Sequence, residues 1–178
     1  MLFKLPLRAL GLVLVNAALF QGGWFVAVLG GNLWAAMFTV VATGLHFYYL
    51  SDNPRADFSC ASLTVIIGLI HDNVLAGLGV IDFSTTITPI WIACIWWLLG
   101  ITLRHSLGFI YRRPLLSAVG GALSAPLAYS GGIYLSDALW GVSPVTGLLI
   151  ISFVWLLILP AHRRLLMFLD PDYEKIAG

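Results

Sequence analysis

The chain has 178 residues, of which 60% are hydrophobic and 10% are charged, whereas soluble domains carry about 25% charged residues. This composition excludes a water-soluble globular domain, a disordered chain and a disulfide-rich secreted scaffold. The formal net charge of +1 provides no basic surface for nucleic acid, so we expect no nucleic-acid partner. The length suits a single domain.

Six apolar stretches are long enough for helices that cross the ~30 Å hydrocarbon core of a bilayer. They cover residues 9–29, 32–50, 61–81, 87–103, 114–135 and 145–161. Because backbone amides in lipid must be bonded within their own segment, all six are predicted to be helices. The predicted fold is an all-α integral membrane protein, a compact bundle of six transmembrane helices. A tight turn at Gly30-Gly31-Asn32 joins the first two, and residues 162–178 are predicted to form a cytoplasmic interfacial tail.

The basic residues indicate the orientation of this bundle. With six crossings, the N-terminus, the second and fourth loops and the C-terminus share one side of the membrane. All nine basic residues lie on that side or at helix ends facing it, and the other loops carry none: Lys4, Arg8, Arg55, Arg104, Arg112, Arg113, Arg163, Arg164 and Lys175. The positive-inside rule therefore predicts that both termini are cytoplasmic.

Small residues predict where helices pack closely. The fifth helix carries a stripe with a spacing of four residues, which is predicted to form a smooth face for contact with another helix. This stripe comprises Gly120, Ser124, Ala128 and Gly132. In the third helix, Gly68 shares a face with Asp72, so we expect that face to be buried in protein rather than in lipid.

Asp72 is the strongest candidate functional residue, because it lies about 16 Å into the third predicted helix. A charged Asp at a helix centre costs roughly 2.5–3.5 kcal/mol to insert, and such residues usually mark function. We predict Asp72 and its neighbour His71 as a catalytic or anchoring pair, with Asn73 as a substrate-binding residue. The alternative is a structural network that links Asp72 to Asn16 or Gln21 of the first helix.

Other polar residues complete the predicted substrate site. Arg104 and His105, at the end of the fourth helix, suit an anionic headgroup, although such an arginine can also simply anchor a helix at the surface. Asn16 and Gln21 are about 140° apart on their helix, so at most one of them should share a pocket with Asp72. Tyr129 is either a proton donor or, as we favour, a buried hydrogen-bonding phenol.

Three histidines, His46, His105 and His162, lie toward the predicted cytoplasmic side, and imidazole is a common metal ligand. The sequence contains no HxxxH or HExxH spacing, and histidines at membrane interfaces commonly cap helix ends. We therefore predict neither a metal nor another cofactor.

Several motifs together resemble a bacterial membrane family known as domain of unknown function 2878. They are Asn16 with Phe20-Gln21-Gly22-Gly23-Trp24-Phe25, Asp72 with Gly77-Leu78-Gly79, Pro89-x-Trp91, Trp96, Leu103-x-His105-Ser106-Leu107 and Ala125-Pro126-Leu127-Ala128-Tyr129. The resemblance covers the first to the sixth helix. It implies a small multi-pass protein of the bacterial inner membrane, whose relatives are often encoded beside lipid-modifying enzymes such as cyclopropane-type fatty-acid methyltransferases. It assigns no catalytic residue.

Three functions remain open at this point. The leading hypothesis is a polar pocket around Asp72 that binds or processes a lipid-like substrate, with membrane lipids as partners. An enzyme of this kind would perform proton transfer or isomerisation rather than hydrolysis, because no activated nucleophile is visible. The second hypothesis is a small proton-coupled transporter that uses Asp72. The third is a non-catalytic scaffold that binds another membrane protein or a second copy of itself.

Overall fold

The computed structural model describes residues 7–85 and 87–169, with side chains from residue 9 onward. Helices dominate this part of the chain, as predicted. In order, the elements are α1 (Leu7–Leu45), a π-helical turn (His46–Leu50), α2 (Pro54–Gly77), β1 (Ile81–Asp82), α3 (Ile90–Leu103), α4 (Gly108–Tyr111), α5 (Pro114–Leu135), β2 (Leu139–Trp140) and α6 (Pro144–Leu169).

Three segments are long and apolar enough to cross a membrane: Ala9–Leu50, Pro54–Gly77 and Pro144–Leu169. Helix α3 is apolar but shorter. The first segment, although it is 42 residues long, is a hairpin rather than one continuous rod.

The hairpin turns at Gly31, whose φ of 68° and ψ of −162° lie outside the helical region. A positive φ is readily adopted only by glycine, which explains the residue at this position. Phe38 of the second arm lies against Gly22 and Gly23 of the first, so residues 7–30 and 32–50 run antiparallel. The predicted tight turn is therefore confirmed.

Helix α2 begins at Pro54 rather than at residue 61 and ends at Gly77 rather than at residue 81. Asn53 caps its N-terminus, with the side-chain oxygen accepting a hydrogen bond from the Ala56 amide at 3.1 Å, and Pro54 occupies the first turn. The predicted start is later because Arg55 and Asp57 interrupt the uncharged stretch. Asp57 is in fact fully buried in the first turn of the helix.

Two other boundaries differ from the prediction by three residues or more. Helix α3 begins at Ile90 rather than at residue 87, after the extended Pro89. Helix α6 continues to Leu169 instead of ending at residue 161, and His162 and Leu166 are buried within the extension. Residues 162–169 are therefore part of the packed helix rather than of a separate tail, and residues 170–178 of the predicted tail lie outside the described residues.

Successive segments alternate in direction. At one end, β1 pairs antiparallel with β2, with Ile81 opposite Trp140, and the Asn32 side chain accepts a hydrogen bond from the Trp91 amide at 3.0 Å. The turn at Gly31, the connection from α2 to α3 and the connection from α5 to α6 therefore share this end. The connection into α2 and the connection from α3 to α5 meet at the opposite end, where Asp57 contacts Arg104.

Glycines permit the closest contacts in the core. A Cβ on Gly68 would lie 1.9 Å from the Trp96 ring, and one on Gly100 would lie 2.5 Å from the Ala61 backbone. Trp96 in turn stacks on Trp155 of α6, with ring centroids 5.2 Å apart. The buried face predicted from Gly68 and Asp72 is therefore correct.

The predicted contact stripe on α5 behaves differently. Ser124, Ala128 and Gly132 line a cavity, and a Cβ on Gly132 would meet nothing within 4 Å. The close contact of α5 with α6 is instead made at Gly121, against the carbonyl oxygen of Trp155. The prediction of a smooth helix contact was wrong because small residues can border open space as well as a neighbouring backbone.

Candidate functional site

A cavity of about 480 Å³ lies between the first arm of α1, α3, α5 and α6, within the size range of small-molecule sites. Most of its wall is apolar, and aromatic side chains contribute a large share. These include Phe20, Trp24, Phe83, Trp91, Trp96 and Trp155. The cavity extends along the helices, from the end that holds the strands to Leu107 near the opposite end.

Asp72 of α2 contributes a carboxyl group to this cavity although only 1% of the residue is exposed. Trp96 Nε1 donates a hydrogen bond to Oδ2 at 2.6 Å, and the Tyr129 hydroxyl donates to Oδ1. His71 Nδ1 lies 3.0 Å from the same Oδ1. Asp72 therefore faces protein and a cavity rather than lipid.

The His71 ring has one bonded and one unbonded nitrogen. Nδ1 lies near Asp72 and 3.1 Å from the Tyr129 hydroxyl, whereas the buried Nε2 has no hydrogen-bond partner in the described part of the chain. A doubly protonated ring would leave a charged N–H buried without an acceptor, which is costly. The geometry therefore favours a neutral ring that donates from Nδ1 to Asp72.

The other predicted substrate-binding residues divide between the cavity and elsewhere. Gln21 and Tyr129 line the cavity with Asp72, and Asn16 does not. This division agrees with their angular separation on the first helix. Asn73 points away from the cavity: it is exposed and donates to the carbonyl of Leu69 at 2.7 Å.

A second polar cluster surrounds Asp57, which is completely buried. Its Oδ2 accepts a hydrogen bond from the Ser51 hydroxyl at 2.6 Å and lies 2.9 Å from His105 Nε2 and 3.2 Å from His46 Nε2. Its Oδ1 is bonded to the Arg104 guanidinium. We call these five residues the Asp57 cluster.

The predicted headgroup-binding pair, Arg104 and His105, belongs to this cluster rather than to the cavity. Both bind Asp57, and Arg104 is largely buried, with 8% of its side chain exposed. The prediction of an anionic ligand assumed that the arginine charge was available. The carboxylate of Asp57 neutralises this charge inside the protein. Arg104 therefore neither binds a lipid headgroup nor simply anchors the helix at the membrane surface.

Asn16 connects the first helix to the Asp57 cluster. Its side-chain oxygen accepts from the Ser106 hydroxyl at 2.7 Å and from the Ser106 amide at 3.2 Å. Its Nδ2 lies 3.4 Å from both His46 Nδ1 and the carbonyl of Ile101. Because the Ser106 amide can only donate, it fixes the orientation of the Asn16 amide, which then donates to His46 Nδ1.

His46, Asp57 and His105 place three potential metal ligands within 4.8 Å of one another. A metal-bound His46 Nε2 would need its proton on Nδ1, where Asn16 already donates. The bonds present are therefore those of a hydrogen-bonded ion-pair network. The three histidines considered in the sequence do not converge, because His162 lies apart, bonded to Thr64 and Tyr111.

Sequence reasoning missed Asp57 and the role of Trp96. Asp57 was overlooked because a charge near a predicted helix end is normally solvated. One signal was present: Asp57, in the loop before the third predicted helix, and Arg104, directly after the fourth, lie on the same predicted side of the membrane, where opposite charges can pair. Trp96 is among the motifs that resemble the family, but nothing in the sequence indicates that it is the partner of Asp72.

The fold and the buried polar sites define a helical membrane protein with an internal cavity. The family described as protein of unknown function DUF2878 matches residues 13–161. The chain belongs to this family, as the resemblance in its motifs predicted. Comparisons with curated proteins and with solved structures found no match.

Proposed function

We propose that the cavity beside Asp72 binds a lipid-like molecule that enters from within the bilayer of the bacterial inner membrane. The observation that carries this proposal is a cavity with an apolar wall and one buried carboxyl group. Such a site suits an amphiphile, whose apolar part contacts the wall and whose polar part approaches Asp72.

The place where the cavity opens supports entry from the side. Gln21 of the first arm and Ser124 and Ala128 of α5 line the cavity and are also exposed. All three lie in the middle of their helices, and α1 makes few contacts with α5. The gap therefore opens between two helices, at the depth of acyl chains, rather than at the end of the bundle.

Filling this opening tests the proposal. We expect Ala128→Trp to reduce the amount of co-purifying lipid-like ligand at least tenfold, because the new ring would occupy the space at the cavity rim. Gently extracted protein would be examined by native mass spectrometry. Leu123→Trp is the matched control: it changes the same helix at a residue that is 67% exposed and outside the cavity lining. Equal ligand retention in both variants would contradict the proposed site.

If the protein is an enzyme, Asp72 lines the cavity and is positioned for proton transfer at the polar end of the ligand. His71 does not line the cavity, so its part would be to hold the Asp72 carboxyl group through Nδ1. We expect Asp72→Asn to abolish turnover while leaving a folded protein, because the amide keeps the shape of the side chain and still accepts from Trp96. Circular dichroism would report folding, and conversion of the co-purified ligand would report activity. Equal unfolding of Asp72→Asn and Asp72→Ala would instead indicate a structural role.

We further propose six membrane crossings with both termini in the cytoplasm, because the described segments alternate in direction and the basic residues collect at one end. Exposed positions at the two ends should then differ in labelling by a membrane-impermeant maleimide. We expect Asp137→Cys to react in intact cells and Arg112→Cys to react only after permeabilisation. The native Cys60 and Cys94 are buried, so background labelling should be low, and the opposite labelling pattern would refute the orientation.

A further inference from the structure

We propose that the ligand of this cavity carries a substituted ammonium group, and that Asp72 and the surrounding aromatic rings bind its positive charge. The inference rests on the proposed function, because it specifies the polar end of the same lipid-like ligand. In the part of the chain that the structure describes, two carboxyl groups are buried, those of Asp57 and Asp72, and they differ in a way that supports this inference.

The two carboxyl groups differ in their counter-charges. Asp57 is bonded to the Arg104 guanidinium, so its negative charge is neutralised by the protein. Among residues 9–85 and 87–169, no lysine or arginine lines the cavity that contains Asp72. Burying an unpaired carboxylate is costly, and a bound cation would supply the missing charge.

The neighbouring histidine does not supply it. A charged His71 would bury a second N–H, at Nε2, without an acceptor in the described part of the chain. The three groups that do approach Asp72 are the Trp96 indole, the Tyr129 hydroxyl and the His71 Nδ1. All three are neutral donors. They can stabilise a carboxylate by hydrogen bonding but supply no positive charge to pair with it.

The wall of the cavity favours an alkylated cation over a metal ion or a small ammonium. Hard cations such as Ca²⁺ or Mg²⁺ require six or more oxygen ligands, and the lining contains few oxygen atoms besides those of Asp72. Aromatic rings instead attract cations through their faces, and quaternary ammonium groups are bound in aromatic pockets of this kind. Four tryptophans, Trp24, Trp91, Trp96 and Trp155, line the cavity.

The same charge argument excludes an anionic group at this position. A fatty-acid carboxylate or a phosphate beside Asp72 would face a like charge in a medium of low dielectric constant. An alkylated ammonium group could come from the headgroup of a membrane lipid or from a free amphiphilic amine. Both sources carry an alkylated ammonium group, and probes that differ in the rest of the molecule distinguish them.

The test compares three probes with the same chain length: dodecyltrimethylammonium, dodecanol and dodecanoate. Binding to full-length protein in nanodiscs is measured by quenching of tryptophan fluorescence. We expect the cation to bind at least about tenfold more tightly than the other two, which corresponds to about 1.4 kcal/mol. Asp72→Asn should reduce this preference to less than about twofold, chiefly by weakening the binding of the cation. Asn73→Ser, at the exposed neighbouring residue, should retain the preference.

The outcomes separate this inference from the proposed function. Equal affinity for the three probes would overturn the cationic ligand and leave a lipid-like site in place, whereas no binding of any probe would overturn both. A preference that persists in Asp72→Asn would also overturn the inference. In a second arm, tighter binding of lysophosphatidylcholine than of dodecyltrimethylammonium identifies the lipid headgroup as the source, and the reverse order identifies a free amine.

Discussion

Arg104→Met should lower the free energy of unfolding by about 3–5 kcal/mol, because it leaves a buried charge without its partner. Asp57 is fully buried and Arg104 nearly so. Methionine approximates the length of the arginine stem but cannot neutralise the carboxylate. Denaturant unfolding in detergent micelles, followed by tryptophan fluorescence, would measure the difference.

Two controls make this prediction specific to the ion pair. Arg112→Met removes an arginine that is exposed at the same end of the bundle, and it should change the free energy of unfolding by no more than about 0.5 kcal/mol. Combining Arg104→Met with Asp57→Asn removes both charges and should recover part of the lost stability. A loss in Arg104→Met as small as that in Arg112→Met would show that the Asp57 cluster contributes little to stability.

Gly68→Ala should lower both the stability of the protein and ligand binding in the cavity, because it displaces a ring that belongs to the core and to the cavity wall. The new Cβ would lie 1.9 Å from the ring of Trp96, so the ring must move away from α2. Inserting a methyl group into such a packed site typically costs about 1–3 kcal/mol. The displaced ring would also lose its hydrogen bond to Asp72, so ligand binding in the cavity should weaken.

The matched control for Gly68→Ala is Gly77→Ala, in the same helix, where a Cβ would meet nothing within 4 Å. Unfolding measurements and native mass spectrometry on the two variants would separate crowding from a general effect of removing a helix glycine. We expect Gly77→Ala to retain both stability and ligand. If Gly68→Ala is as stable as wild type and retains the ligand, the Trp96 ring does not pack directly against Gly68.

The helical fold and the turn at Gly31 could be predicted from the sequence, since both follow from local properties of the chain. Apolar length predicts membrane helices, and a glycine pair followed by asparagine predicts a sharp reversal. The start of α2 could not be found by counting apolar residues, because Arg55 and Asp57 interrupt the pattern. The capping signal of Asn53 and Pro54 was the better guide to this boundary.

The candidate site was only partly predictable. Asp72 could be identified because a charge deep in an apolar helix requires an explanation on energetic grounds alone. Its partners could not be identified, because Trp96 and Tyr129 approach it from other helices and nothing in the sequence specifies those distances. Arg104 and His105 were assigned to the wrong site for the same reason, since the sequence does not show that Asp57 lies opposite them.

The uneven packing of α5 has a consequence for the size of molecule that the cavity can accept. Helix α5 packs extensively along α6 but touches α1 at few points. A bulkier occupant can therefore push the first arm of α1 and α5 apart while α5 and α6 stay packed together. The pairing of β1 with β2 would still hold the connection from α2 to α3 against the connection from α5 to α6. The protein should therefore accept occupants of different widths with the loss of few native contacts.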